Sequence, residues 1–253
     1  MDNKEELIGF YGDDETIACS AWTSTSRKLT DEKRARVSKL INMLWSEGHE
    51  TPFEKGIIHF LVDTDIASHI HLLKHRISSL NAESARYKEL KEDKYFLPED
   101  WGDITCTEVI RYPTECGAKW TDILRVYTEY GNELYHQCIK DLEPVLGRKR
   151  AKESARFFKT YNSQIQADVM FNMRSFANFV QLRNSEHAQK EIRDIAAEML
   201  RQITEVADEP FEETLKAFEK RRQLDSVVNE LLQANGGDVA KTIEEIKDIF
   251  LPF

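Results

Sequence analysis

Lys74-His75-Arg76-Ile77-Ser78-Ser79-Leu80-Asn81-Ala82-Glu83-Ser84-Ala85-Arg86-Tyr87 gathers four basic side chains and three serines into one short stretch. It does so in a chain of formal net charge -10. Guanidinium forks and serine hydroxyls match the oxygens of phosphate and carboxylate, and arginine does so through two parallel bonds. No helical apolar stripe passes through residues 78–84, which predicts an irregular segment with its polar groups turned away from the core. Composition alone leaves two readings open, a solvated charged loop or a seat for an anionic ligand.

Upstream, Asp65 starts a short helix through Ile66, Ile70 and Leu73 that delivers this stretch at its C-terminal end. His69, His71 and His75 share that region, so zinc chemistry has to be weighed. Metalloprotease helices place a glutamate directly after the first histidine; here Leu72 stands there, and no nearby cysteine or carboxylate completes a tetrahedron. No metal is expected. Further upstream, Ile57, Ile58, Phe60, Leu61 and Val62 read as a strand, preceded by His49-Glu50-Thr51-Pro52-Phe53-Glu54. Thr30 can cap a helix reaching about Glu47, with Val37, Leu40, Ile41, Leu44 and Trp45 on one face and Gly48 placed to end it. Residues 7–23 read as an opening strand.

Downstream, residues 88–117 carry Pro98, Gly102 and Pro113 with no clear period and read as loop. A helix is expected from about Lys119 to Leu142, then a basic helical segment from Arg148 to Arg156. Ile165, Ala167, Val169 and Phe171 alternate with Gln164, Gln166, Asp168 and Met170, as in a half-buried strand. Asn172 then caps a helix burying Phe176, Phe179 and Val180, whose start, with Arg174 and Asn178, suits anionic groups. Helical spacing places Arg183 and His187 on one face. Beyond Pro210 come amphipathic helices, one carrying Leu224, Val227, Val228, Leu231 and Leu232 before Gly236-Gly237, the other Val239, Ile243, Ile246, Ile249 and Phe250.

A length of 253 residues, 41% hydrophobic and 32% charged, fits a globular protein with a sizeable core. No apolar run approaches the ~20 residues that span a bilayer. The acidic start, Met1-Asp2-Asn3-Lys4-Glu5-Glu6, shows no secretory signal. Four scattered cysteines without CxxC spacing suit a reducing compartment. The expectation is a cytoplasmic protein, or one of a host cytoplasm if the chain is viral, with no membrane and no nucleic acid as partner. A pI near 5.3 argues against a general nucleic-acid binder.

The order of residues in the first stretch, Arg76, seven residues, Ser84 and Arg86, closely resembles the signature of the flavin-dependent thymidylate synthases, with Lys74 in place of the usual first arginine. A second motif agrees: Asn-x-Arg-Ser at 172–175, Leu182-Arg183 and His187-Ala188-Gln189-x-Glu191-Ile192. The resemblance covers roughly residues 7–205. It implies an α+β fold, a central mostly antiparallel sheet with packed helices, in a catalytic domain of residues 1–209, with 210–253 a helical extension packing on the core or on a neighbouring subunit. It implies FAD held by Lys74, His75, Arg76, Ile77, Thr51, Glu54, Asn172, Arg174, Asn178 and His187, and dUMP held by Ser84, Ala85, Arg86, Arg156, His71 and Glu83. Arg183 would bind and polarise the uracil, and His49, near the flavin ring, is the second catalytic candidate. NADPH would be the reductant and methylenetetrahydrofolate the carbon donor, in a homotetramer with active sites at subunit interfaces. Besides Lys74, two further departures stand: Ala82 replaces the usual Glu or Gln, and the Leu-Pro that usually follows Arg156 is absent. None of the cysteines lies in either motif, so the chemistry must proceed without an enzyme thiol. The rival readings are a non-enzymatic nucleotide- or RNA-phosphate-binding module and a metal hydrolase built on His69, His71 and His75.

Overall fold

The structure, a computed structural model, describes residues 2–108 and 116–250, and only the backbone of 247–250. Pro113 of the loop-rich segment and the side chains of Ile249 and Phe250 therefore lie outside the described residues. Four strands form one sheet: β1 (Lys4–Tyr11), β2 (Ile57–Asp65), β3 (Ser79–Ala82) and β4 (Gln164–Asn172), in the order β1-β2-β4-β3. With nine α-helices among the described residues, the fold is α+β, as expected. None of these helices is long and apolar enough to cross a membrane. The chain divides into two compact units, one of Met1–Gly9, Ile58–Phe171 and Arg183–Met199, the other of Phe10–Ile57, Asn172–Leu182 and Leu200–Phe253.

The first unit holds most of the sheet. Ile58, Phe60 and Val62 of β2 and Ala167, Val169 and Phe171 of β4 bury one face in strict alternation, which fixes their register. Residues 79–82 are not irregular: β3 pairs antiparallel with β4, Ser79 opposite Met170 and Ala82 opposite Ala167. A strand at the edge of the sheet is held by its backbone bonds, so β3 needs no apolar period; Ser79, Asn81 and Ala82 are exposed. Asp65 caps α4 (Ile66–Leu73), accepting from the Ser68 amide at 2.8 Å. From Lys119 onward the chain forms two helical stretches, as expected: the span Trp120–Ala155, labelled α5, carries Pro144 and is broken by a kink at Gly147, whose φ 76° and ψ 153° are not helical. Tyr135, Ile139, Ala151 and Ala155 form a buried cluster across that kink.

The second unit corrects two expectations. Residues 7–23 are not one strand: after β1 the chain turns into α1 (Asp14–Trp22), because Asp13 accepts from the Thr16 amide at 2.6 Å and acidic residues fill the first turn. The helix expected from Thr30 is two. Thr30 caps α2 (Asp31–Arg34), which buries nothing, and α3 (Val37–Ser46) begins where the apolar stripe begins. Gly48, at φ 72°, ends it. Beyond these lie α6 (Met173–Arg183), α7 (Lys190–Thr204, shared by the two units), α8 (Glu212–Ala234) and α9 (Val239–Phe250). Packing of α8 on α3 places Phe218 4.3 Å from the Trp45 ring centroid, and Trp45 lies 5.1 Å from Phe53. Asp14 accepts from the Thr214 hydroxyl at 2.6 Å and the Glu213 amide at 2.7 Å, tying α1 to the start of α8.

Gly131 marks the closest approach in the first unit: a Cβ there would lie 2.7 Å from the Phe158 carbonyl oxygen, a backbone atom that cannot swing away. Gly131→Ala should therefore destabilise the protein by about 1–3 kcal/mol. Gly9→Ala, with nothing within 4 Å of its Cβ, should not. Urea unfolding of both variants checks this, and equal midpoints would show that the contact relaxes freely.

Candidate functional site

In the first unit α4 ends one residue before the basic stretch and turns His75 inward. The imidazole is only 8% exposed, and its Nε2 accepts a hydrogen bond from Arg183 Nε at 3.0 Å. Accepting on Nε2 places the ring proton on Nδ1. Burial, then the Arg183 guanidinium, then His71 push the His75 pKa down to about 4. The contact joins residues 108 apart in sequence and brings the two motifs together. Lys74, Arg76 and Ile77 are exposed beside it, and the Ser78 hydroxyl donates to the His75 carbonyl at 2.6 Å. His71 is half-buried on α4.

After β3 the chain makes a tight turn. The amides of Tyr87 and Lys88 donate to the Ser84 carbonyl at 3.0 and 3.1 Å, and the Arg86 amide donates to the Ser84 hydroxyl at 3.3 Å. Arg86 is exposed and donates through Nε to Glu153 at 2.7 Å, which raises its already high pKa. Ala85 is half-buried between them. Glu83 pairs with Lys88 and accepts from the Gln166 amide at 3.2 Å, so its carboxylate is already engaged. Arg156 is exposed where α5 ends. His187 is exposed in the turn between α6 and α7. It shares no helix face with Arg183, because α6 stops at Arg183 and the Ala188 amide closes a turn on the Ser185 carbonyl at 2.9 Å.

In the second unit the Asn172 side chain caps α6, accepting from the Ser175 amide at 2.8 Å. Within the first turn, Arg174 meets two carboxylates, Glu50 on Nε at 2.9 Å and Glu54 on Nη1 at 2.7 Å. Glu54, then Glu50, raise the guanidinium pKa further. Thr51 and Glu54 belong to a 3-10 turn over Thr51–Lys55. Thr51, His49 and Asn178 are exposed, and the His49 amide donates to the Leu44 carbonyl at 2.8 Å. Sequence reasoning passed over Glu50 and Glu153 as partners of the arginines. Only Glu50 carried a signal, standing between His49 and Thr51; both contacts span more than sixty residues. Among the described residues no group of three or more His, Cys, Asp or Glu is placed to hold a metal ion.

Residues 6–209 match the family described as thymidylate synthase complementing protein. A flavin-dependent thymidylate synthase of Pseudothermotoga lettingae is 32% identical over 191 residues, 76% of this chain and 80% of that protein. The chain belongs to the flavin-dependent thymidylate synthase family. Another relative of that name, from Thermosipho melanesiensis, is 30% identical over 83% of this chain and 89% of its own length. The fold is that of a UMP/dUMP methylase, PolB, from Streptomyces cacaoi, whose structure was solved with 5-Br dUMP. It superimposes with a TM-score of 0.68 at 24% identity, covering 87% of this chain and 95% of that one. The family match ends before α8 and α9 begin.

The His75–Arg183 bond has a pH signature. Between pH 6.5 and about 4 the unfolded chain binds a proton at His75 that the folded chain refuses, so stability falls as pH falls through that window. His75→Gln should flatten that part of the stability–pH curve by an amount on the order of 3 kcal/mol. Chemical denaturation at pH 4.5 and pH 7 measures it; an unchanged slope would show that this imidazole does not resist protonation.

Proposed function

We propose that the chain is a flavin-dependent thymidylate synthase, which methylates dUMP reductively to dTMP with FAD as cofactor. The observation that carries this reading is the convergence of both motifs on one contact, Arg183 with His75, in a chain of that family. The donor set suits FAD. Lys74, Arg76 and Asn178 are exposed, and Arg174 has its Nε and Nη1 engaged by Glu50 and Glu54, which leaves Nη2 for a pyrophosphate oxygen. When bound, FAD carries reducing equivalents from NADPH, and methylenetetrahydrofolate supplies the carbon. Arg86, Ser84, the Ala85 amide and Arg156 bind the nucleotide phosphate, while His49, Thr51 and Glu54 lie at the flavin. His71 and Glu83 complete the dUMP side, and His187 the flavin side.

Arg183 meets the uracil. His75 takes its Nε–H, so the terminal NH2 groups are the ones turned to a carbonyl oxygen, and they stabilise the negative charge that builds up as C5 becomes nucleophilic. The end of the family match at residue 209 supports 1–209 as the catalytic domain and 210–253 as an extension. A homotetramer with sites at subunit interfaces accords with the family. Nothing favours the non-enzymatic phosphate-binding module.

Purified protein should show an oxidised-flavin spectrum and form dTMP from dUMP, methylenetetrahydrofolate and NADPH; colourless protein that binds no added FAD would overturn the reading. Within it, Arg183→Ala should lower methyl transfer roughly 10²–10³-fold while weakening dUMP binding far less, because the lost interaction strengthens only in the transition state. Arg183→Lys should fall between, keeping charge without the planar fork. Flavin reduction by NADPH should be largely spared. Stopped-flow measurement of both half-reactions decides, and equal losses in the two would give Arg183 another role.

A further inference from the structure

An arginine outside the family match touches the cluster around Arg174. Arg221, on α8, donates through Nη1 to the Trp45 carbonyl at 3.1 Å, and the same nitrogen lies 3.7 Å from Glu50 Oε1. Its guanidinium carbon sits 5.6 Å from the centroid of the Trp45 ring. The other oxygen of Glu50 accepts from Arg174. Glu50 is thus shared between an arginine of the second motif and an arginine of the extension.

We propose that Arg221 is a positioning residue for FAD binding, acting through Glu50 on Arg174; the inference rests on Arg174 facing the flavin. The argument is one of charge and orientation. Arg174 with Glu50 and Glu54 makes a cluster of net charge -1, the wrong sign beside a pyrophosphate. Arg221 brings it to zero. At 3.7 Å its contact with Glu50 is an ion pair rather than a short hydrogen bond, so it acts by attraction on one carboxylate oxygen. That attraction, with the Trp45 carbonyl anchoring the guanidinium, keeps Glu50 turned so that its second oxygen meets Arg174 Nε. Without Arg221, Glu50 is free to swing and to claim Arg174 fully, leaving less positive charge for the cofactor. The neighbouring Arg222 provides a control, since it pairs within its own helix with Glu219 at 2.8 and 3.0 Å.

The test is FAD affinity, by flavin fluorescence titration, with apoprotein melting temperature recorded alongside. Arg221→Gln should raise the Kd for FAD by roughly 3- to 5-fold, as loss of a half-exposed ion pair implies. Arg221→Lys, which keeps the charge, should stay within about 2-fold of wild type, and Arg222→Gln should not change affinity. In an Arg174→Gln background, Arg221→Gln should add much less than it does alone, because most of its effect passes through the link to Arg174. Additive losses, a loss shared equally by Arg222→Gln, or wild-type affinity in Arg221→Gln would overturn the proposal while leaving Arg174 at the flavin. Arg221→Lys as weak as Arg221→Gln would likewise overturn it, since no charge-based link would survive. An Arg174→Gln variant with unchanged FAD affinity would overturn the underlying assignment and the proposal with it.

Discussion

A buried imidazole accepting from a guanidinium is the contact on which the arrangement of the site depends. His75 can accept from Arg183 only while neutral, and burial beside a fixed positive charge keeps it so well below physiological pH. The pairing also leaves Arg183 with its full charge, because a neutral acceptor orients a guanidinium without cancelling it. A carboxylate at the same place would hold the side chain more tightly and blunt its field. For an interaction that must strengthen as negative charge develops on a ring, an uncompensated cation is the useful form.

Two of the other arginines of the motifs, Arg86 and Arg174, sit differently. Arg86 faces Glu153 and Arg174 faces Glu50 and Glu54, so each rests against carboxylates. Both pairs are partly exposed, where an ion pair contributes little and an incoming phosphate can compete for the guanidinium. Such side chains are held in place rather than strongly neutralised. The three arginines thus divide by partner: a neutral base for the residue given the catalytic task, carboxylates for those given the permanent anions of nucleotide and cofactor.

Rigid elements deliver these groups. The short edge strand β3 is bonded to β4 by its backbone, and the turn holding Ser84, Ala85 and Arg86 leaves from its end. A loop that starts from a sheet has one end fixed, which suits a phosphate seat better than a free surface loop. The cap at Asn172 does the same for α6, setting the direction in which Arg174 leaves the helix. The helix α8, beyond the family match, is not a loose appendage, since it buries Thr214 and Ala217 and packs on α3.

Much of this was legible in the residues themselves. The strands at 57–65 and 164–172, the caps at Asp65 and Asn172, the stop at Gly48 and the stripe of α3 all follow from local chemistry: alternation, a side-chain acceptor, a positive φ. Residue order within the two motifs pointed to the family without any knowledge of space. What failed was whatever local pattern does not encode. Residues 79–82 have no strand period, yet they pair because an open edge of β4 lies beside them. Residues 7–23 had enough apolar content for a strand, and Asp13 turned half of them into helix. The partners of the arginines belong to the same class. Glu153, Glu50 and His75 meet them only because the chain folds back over distances at which sequence spacing carries no geometric information. The sequence by itself determined which side chains could bind anions and which family pattern they follow. Tertiary structure alone decided which arginine meets a neutral imidazole and which a carboxylate, because those partners arrive from distant parts of the chain.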